Sequence, residues 1–176
     1  LNHEKNGDIK LSAHPEGFQL DRELNKLYVN VPNANSIEVI DLKSQKINSR
    51  WRNEYNSNFP MTIDLKNHII FVGYRHPGKL TAIDAKNGNT ISAIDLVGDI
   101  DDLYFDPGTK KIYASGGAGA VNVFIFDTQT IRQIASVPTQ SGARTSLLIS
   151  STGTFILAER ANGGHMAQLK IYSTRN

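Results

Sequence analysis

The stretches "SIEVIDLKSQKI" (Ser36–Ile47), "KLTAIDAKNGNTI" (Lys79–Ile91) and "VNVFIFDTQTIRQI" (Val121–Ile134) decide how the chain reads. Their aspartates, Asp41, Asp84 and Asp127, stand 43 residues apart at both steps. Each carries alternating apolar residues into an Asp, then a short polar turn, then a second apolar run. Fixed-period self-similarity of this kind marks a repeat, in which every local pattern has to be read in register with its copies.

Working outward, "KLYVNV", "HIIFVG", "KIYASG" and "TFILAE" align on Leu27, Ile70, Ile112 and Phe155, with steps of 43, 42 and 43. A third set, "GFQLD", "PMTID", "DLYFD" and "SLLIS", places Asp21, Asp64 and Asp106 ahead of turns. Each unit therefore reads as four short strands, here a to d, rich in Val, Ile, Tyr and Phe and bounded by Gly, Pro, Asn and Asp. No long run has a helical apolar period, so almost no helix is expected. A period in the low forties with four strands per unit is the signature of an all-β β-propeller, built from four-stranded antiparallel blades that need neighbours to bury their faces.

The 176 residues suit a single domain, 1–176, holding about four blades. The repeats fall at 15–51, 59–96, 99–137 and 143–174, the last without its outer strand, and 7–12 ("GDIKLS") reads as an orphan outer strand. The expectation is strand-exchange closure, with the N-terminal strand completing the last blade. A net charge of +2 points to no nucleic-acid or anionic-membrane partner. No apolar run approaches the roughly 18 residues of a membrane span, so membrane insertion is not expected. With no cysteine, thiolate metal sites and cysteine nucleophiles are excluded. The first residue, Leu1, reads as a processed or truncated start, which leaves room for a removed export signal.

The stretch "KLYVNVPNANSIEVIDLKSQKI" resembles the YVTN-type repeat of bacterial β-propeller proteins, with its aromatic-Val strand, Asn-rich hairpin and V-I-D strand. "AHPEGFQLD", "NFPMTID" and "SGARTSLLI" are similar to the same family, and the resemblance runs from Gly7 to Ser173. It implies scaffold and binding roles, a ring of about seven blades in the complete proteins, and a periplasmic or secreted location, with the cytoplasm as the alternative. Seven such units would need roughly 300 residues. Three arrangements fit the shorter chain: part of a larger propeller lacking N-terminal blades, a closed four-blade ring, or a head-to-tail homodimer of eight blades.

In a propeller the d-to-a connections and the b-to-c hairpins surround one mouth of the channel, and loops on a rigid framework are where function concentrates. These loops carry His14, Glu16, Asn58, Arg75, His76, Asp101, Asp102, Arg144 and Arg160. They differ in chemistry from unit to unit while the framework repeats, which marks this face as the expected ligand-binding face. Glu16, Asp101 and Asp102 offer hard oxygen ligands for a divalent cation, although no cofactor is expected. Against this stands the ordinary use of Asp to bond the amides of its own turn. Arg144 is placed either to hold an anionic ligand or to pair with Asp101 or Asp102.

"GYRHPGK" (Gly73–Lys79) matches most of the phosphate-loop pattern, but Leu80 replaces its Ser or Thr and a strand follows instead of a helix. In register with "VPNANS", "SGGAGAV" and "RANGGHMAQ" it is a b-to-c hairpin. No nucleophile elbow is present, so catalytic residues are not assigned. The expected function is a non-enzymatic scaffold presenting a polar loop face to a protein, peptide or small polar ligand. The alternatives are a metal-assisted hydrolase or lactonase-like enzyme using the loop carboxylates, and a structural repeat segment of a larger propeller.

Overall fold

A computed structural model describes residues 4–175. The described residues form fifteen strands in four antiparallel sheets, with one three-residue 3-10 turn, Pro32–Ala34. The first sheet holds β1 (Phe18–Asp21), β2 (Lys26–Val31), β3 (Ser36–Asp41) and β4 (Lys46–Arg52). The second holds β5 (Asn56–Asp64), β6 (Ile69–His76), β7 (Gly78–Asp84) and β8 (Thr90–Asp95). The third holds β9 (Ile100–Asp106), β10 (Lys111–Gly116), β11 (Ala120–Phe126) and β12 (Ile131–Pro138). The fourth has only β13 (Ser146–Ile149), β14 (Thr154–Glu159) and β15 (Gln168–Ser173). Within every sheet the spatial order is the chain order, and the first strands of successive sheets touch, β1 with β5 and β5 with β9. This is the blade arrangement of a β-propeller.

The recurring aspartates explain why the turns repeat. Asp21 Oδ1 accepts from the Leu24 amide at 3.0 Å, Asp64 Oδ1 from Lys66 at 3.1 Å and Asp106 Oδ1 from Gly108 at 3.2 Å. Between the third and fourth strands, Asp41 accepts from the Ser44 amide, Asp84 from Lys86 and Asp127 from Thr130. A carboxylate that ties down the amides of its own turn fixes where one strand ends and the next begins. The left-handed residue of the first turn recurs as Asn25, His68, Lys110 and Gly153.

Burial follows the two-residue period. Paired side chains such as Tyr28 and Val39 face the second blade, where they meet Ile70, Val72 and Ile83. Phe71, Leu80 and Ala82, on the other face of the second blade, pack against Ile112, Ala114 and Phe124 of the third. Tyr113 and Val121 in turn pack on Phe155 and Leu157 of the fourth. Among the described residues no blade packs on the outward face of the fourth. Leu169, the counterpart of Val121, is 67% exposed where Val121 is 4% exposed, and Ile171 is exposed as well. The sheets form an arc, not the closed four-blade ring considered above.

The N-terminal segment departs from expectation. Residues 7–12 form no strand, and the last sheet stays at three. Leu11 and Ala13 instead cover Val29, Val31 and Ile40 on the outward face of the first blade. The Ser12 amide donates to Glu38 Oε1 at 3.1 Å, and its hydroxyl donates to the same oxygen. Glu38 is wholly buried and is also held by Arg50 Nε at 3.1 Å. An apolar face needing cover and a buried carboxylate needing donors hold the segment on the first blade.

Candidate functional site

The channel mouth is built by loops from three neighbouring blades. Arg75, at the end of β6, reaches across to the third blade, where its Nε donates to the Ile100 carbonyl at 2.9 Å. Its guanidinium also bonds Asp101, approaches Asp99 Oδ1 at 3.8 Å and lies 3.9 Å from the centroid of the Phe59 ring. Arg144, entering the fourth blade, donates through Nη1 to Asp99 at 2.6 Å and lies 3.2 Å through Nε from Asp101. Two arginines and two aspartates thus alternate across three blades. The hydrogen bond to Asp99 and the charge of Asp101 hold the Arg144 guanidinium's pKa above its ordinary value. Both arginines are neutralised inside the network.

Below this rim lies a groove of about 320 Å³ whose walls come from β1, β5, β9 and the residues leading into them. Glu16, Gln19, Asp102 and Tyr104 supply its polar lining, and Phe18, Phe59 and Met61 its apolar lining. Asp102 accepts from the Ser146 amide at 2.6 Å. Burial pushes the Asp102 carboxyl up from its ordinary value, with the charge of Asp101 acting the same way and the Ser146 amide opposing. Tyr104 donates its hydroxyl to the Ser146 carbonyl at 2.6 Å, so the fourth blade is tied to this wall twice. Of the three carboxylates in the groove wall, Asp101 is paired with the two arginines, whereas Glu16 and Asp102 have no arginine or lysine paired to them among the described residues.

The structure sorts the residues singled out from sequence. Glu16, Asp101 and Asp102 share the groove wall, and Arg75 and Arg144 form its rim. His14 stands 3.7 Å from Glu16 in solvent. His76 is exposed and contacts Ser57 Oγ at 3.2 Å, away from the groove lining. Arg160 packs its guanidinium over Gly142 and does not enter the charge network. Asn58 is a correction. It lies inside β5, fully buried, and donates to Asn30 Oδ1 at 2.9 Å and the Ser36 carbonyl at 3.0 Å. Its role is to join the first two blades.

Glu16, Asp101 and Asp102 do not form the cation ligand set considered from sequence. Among the described residues no three His, Asp or Glu side chains are grouped to hold an ion. Asp101 is turned to the two arginines and Asp102 to Ser146. Asp99, a residue of the same loops, was not among the expected ligand contacts, yet it joins Arg75 to Arg144. Its backbone is left-handed, with φ of 54°. Gln19 and Tyr104 were also missed. The signal for them was the alternation of the innermost strands, whose polar positions stand out among apolar ones.

No protein-family model matches the sequence, and no curated protein matches it. Solved structures do match in fold. Hydrazine synthase from Kuenenia stuttgartiensis aligns with 98% of this chain and 49% of its own, at 12% identity and a TM-score of 0.79. A chain of the mitotic checkpoint complex aligns over 95% of this chain and 51% of its own, at 13% identity and a TM-score of 0.75. The computationally designed Ika4 protein aligns over 97% of this chain and 99% of its own, at 10% identity and a TM-score of 0.77. This chain therefore spans about half the length of the first two. At these identities the likeness concerns the propeller fold alone.

Proposed function

We propose that the chain is a non-enzymatic, YVTN-like binding scaffold whose channel groove receives a basic or hydrogen-donating group of a protein, a peptide or a small polar ligand. The observation that carries this reading is the distribution of charge. Arg75 and Arg144 are consumed by Asp99 and Asp101, whereas Glu16 and Asp102 line the groove with no arginine or lysine paired to them among the described residues, Glu16 having only the solvent-exposed His14 at 3.7 Å. Carboxylates beside the apolar surface of Phe18 and Phe59 favour a cation that has desolvated faces, such as a guanidinium. The likeness to a chain of the mitotic checkpoint complex supports protein interaction as a use of this architecture. Titration calorimetry with N-acetyl-arginine amide provides the test. Saturable binding that weakens at least tenfold in the Glu16→Gln/Asp102→Asn variant supports the reading. Equal affinity in the two proteins places the site elsewhere.

A second observation bears on partners. The outward face of the fourth blade presents Leu147, Ile156 and Ile171 in one cross-strand row, at the positions that Tyr104, Tyr113 and Val123 use to meet the next blade. We propose that another blade of the same repeat type covers this face, supplied by a longer form of the protein or by a second copy.

A further inference from the structure

The boundary between the third and fourth blades contains a cavity of about 120 Å³, lined chiefly by Tyr113, Val121, Val123, Val137, Phe155 and Tyr172. Its meaning comes from the register-equivalent place between the first and second blades. Tyr113 corresponds to Tyr28, since each pairs with a valine, Val123 and Val39. Val137 corresponds to Trp51, each opposite the same position of the third strand, Val121 and Ile37. Thr174 corresponds to Ala85. The Ala85 amide bonds the His68 carbonyl and the Thr174 amide bonds the equivalent Gly153 carbonyl.

At the first boundary this space is full and its polar group is satisfied. The Trp51 indole lies 5.5 Å from the Tyr28 ring, and the Tyr28 hydroxyl donates to the Ala85 carbonyl at 2.7 Å. At the third boundary a valine replaces the indole. Lys111 still reaches the Thr174 carbonyl at 3.4 Å, as Lys26 reaches that of Ala85 at 3.5 Å. Tyr113, however, makes no such bond. Among the described residues its hydroxyl makes no hydrogen bond of good geometry, although the side chains of Thr174 and Thr109 lie beside it, and Thr174 Oγ1 makes none either. Both residues line the cavity and both are more than nine-tenths buried, at 5% and 8% exposure. Buried hydroxyls without partners are costly, and an apolar space of this size is a receptor for a single ring: an engineered apolar cavity of roughly 150 Å³ takes up benzene.

We propose that this cavity is a binding site for a small aromatic molecule of one ring bearing one hydroxyl, of phenol size. The ring occupies the space that Trp51 fills at the first boundary, between the valines and Phe155. The ligand hydroxyl meets Tyr113 and Thr174, satisfying both side chains. This site lies between the third and fourth blades and is separate from the channel groove, so it stands or falls independently of the function proposed above.

Two-dimensional NMR titration of the full chain with phenol and with benzene tests it. The expected result is saturable phenol binding with shifts concentrated around Tyr113, Val121 and Phe155, about tenfold tighter than benzene. Tyr113→Phe should bring the two affinities within about threefold of each other. Val137→Trp should refill the space and abolish binding of both. Absence of saturation up to the solubility of phenol overturns the proposal, as does equal affinity for phenol and benzene in the unmodified chain. Undiminished phenol binding by Val137→Trp does so too. Should Val137→Trp fail to fold, the isosteric Tyr113→Phe carries the decision, because an unchanged preference for phenol in that variant contradicts the assigned contact.

Discussion

Asp21 shows how much one carboxylate does in this fold. It caps its own turn through Leu24 and accepts a 2.6 Å hydrogen bond from, or shares a proton with, His68 Nδ1 of the next blade. Burial alone would push its carboxyl up, but the Leu24 amide and His68 together outweigh burial and hold it below the ordinary carboxylate value. A carboxyl whose folded value is depressed stabilises the fold above its unfolded value of about 3.9, and that contribution is lost as pH falls through the folded value. Urea unfolding of the wild type should therefore show a steeper loss of stability below about pH 4 than Asp21→Asn, which lacks this titration. Asn58 offers a second check. Asn58→Ala removes the donor to both Asn30 and the Ser36 carbonyl in a buried place, at a cost of about 1–3 kcal/mol by chemical denaturation. This residue was read from sequence as a loop contact because a bulge between Asn58 and Met61 and the nearby Pro60 interrupt the alternation. The strand in fact starts at Asn56.

Among the elements, the strands and turns were legible because the same chemistry recurs at a fixed period. Short alternating runs, Asp at the turn entry and a left-handed residue at the turn exit need no long-range information. The N-terminal segment was not legible in the same way. "GDIKLS" has a strand-like pattern, but its placement depends on Val29, Val31, Ile40 and Glu38, which are distant in sequence and compete with the open edge of β15. The hairpin at Gly73–Lys79 was settled by register alone: Arg75 pairs with Gly78, closing β6 on β7. Trp51, on the outer strand β4, packs against Tyr28 and over Gly88, where an added Cβ would collide with the indole. Gly88 also has φ of 82°, so Gly88→Ala combines a clash with an unfavourable backbone. Trp51→Ala is expected to cost about 3 kcal/mol, read from the shift in denaturation midpoint.

At the scale of the molecule, the fold was legible and the function only partly so. A period fixes blades, but it does not fix which loop residues cancel one another. Arg75, Arg144 and Asp101 each looked like a ligand contact, and only their meeting, with Asp99 between them, reveals a closed network. The exposed row on the fourth blade and the three-stranded sheet give that blade fewer partners than the others. Hydrogen exchange should be fastest in β13–β15 and slowest in β6, β7, β10 and β11, which are covered on both faces. Sedimentation over a range of concentrations should reveal reversible association that Ile171→Lys reduces.

The proposed function rests on selectivity of the channel groove for positive charge. Calorimetric titration with N-acetyl-arginine amide, its neutral citrulline counterpart and N-acetyl-glutamate amide measures this directly. The arginine ligand should bind at least tenfold more tightly than citrulline, and the glutamate ligand should not bind. Because burial holds the Asp102 carboxyl above its ordinary value, arginine affinity should also rise as pH climbs above about 4. Equal affinities for arginine and citrulline, or a preference for glutamate, would show that the groove does not select positive charge.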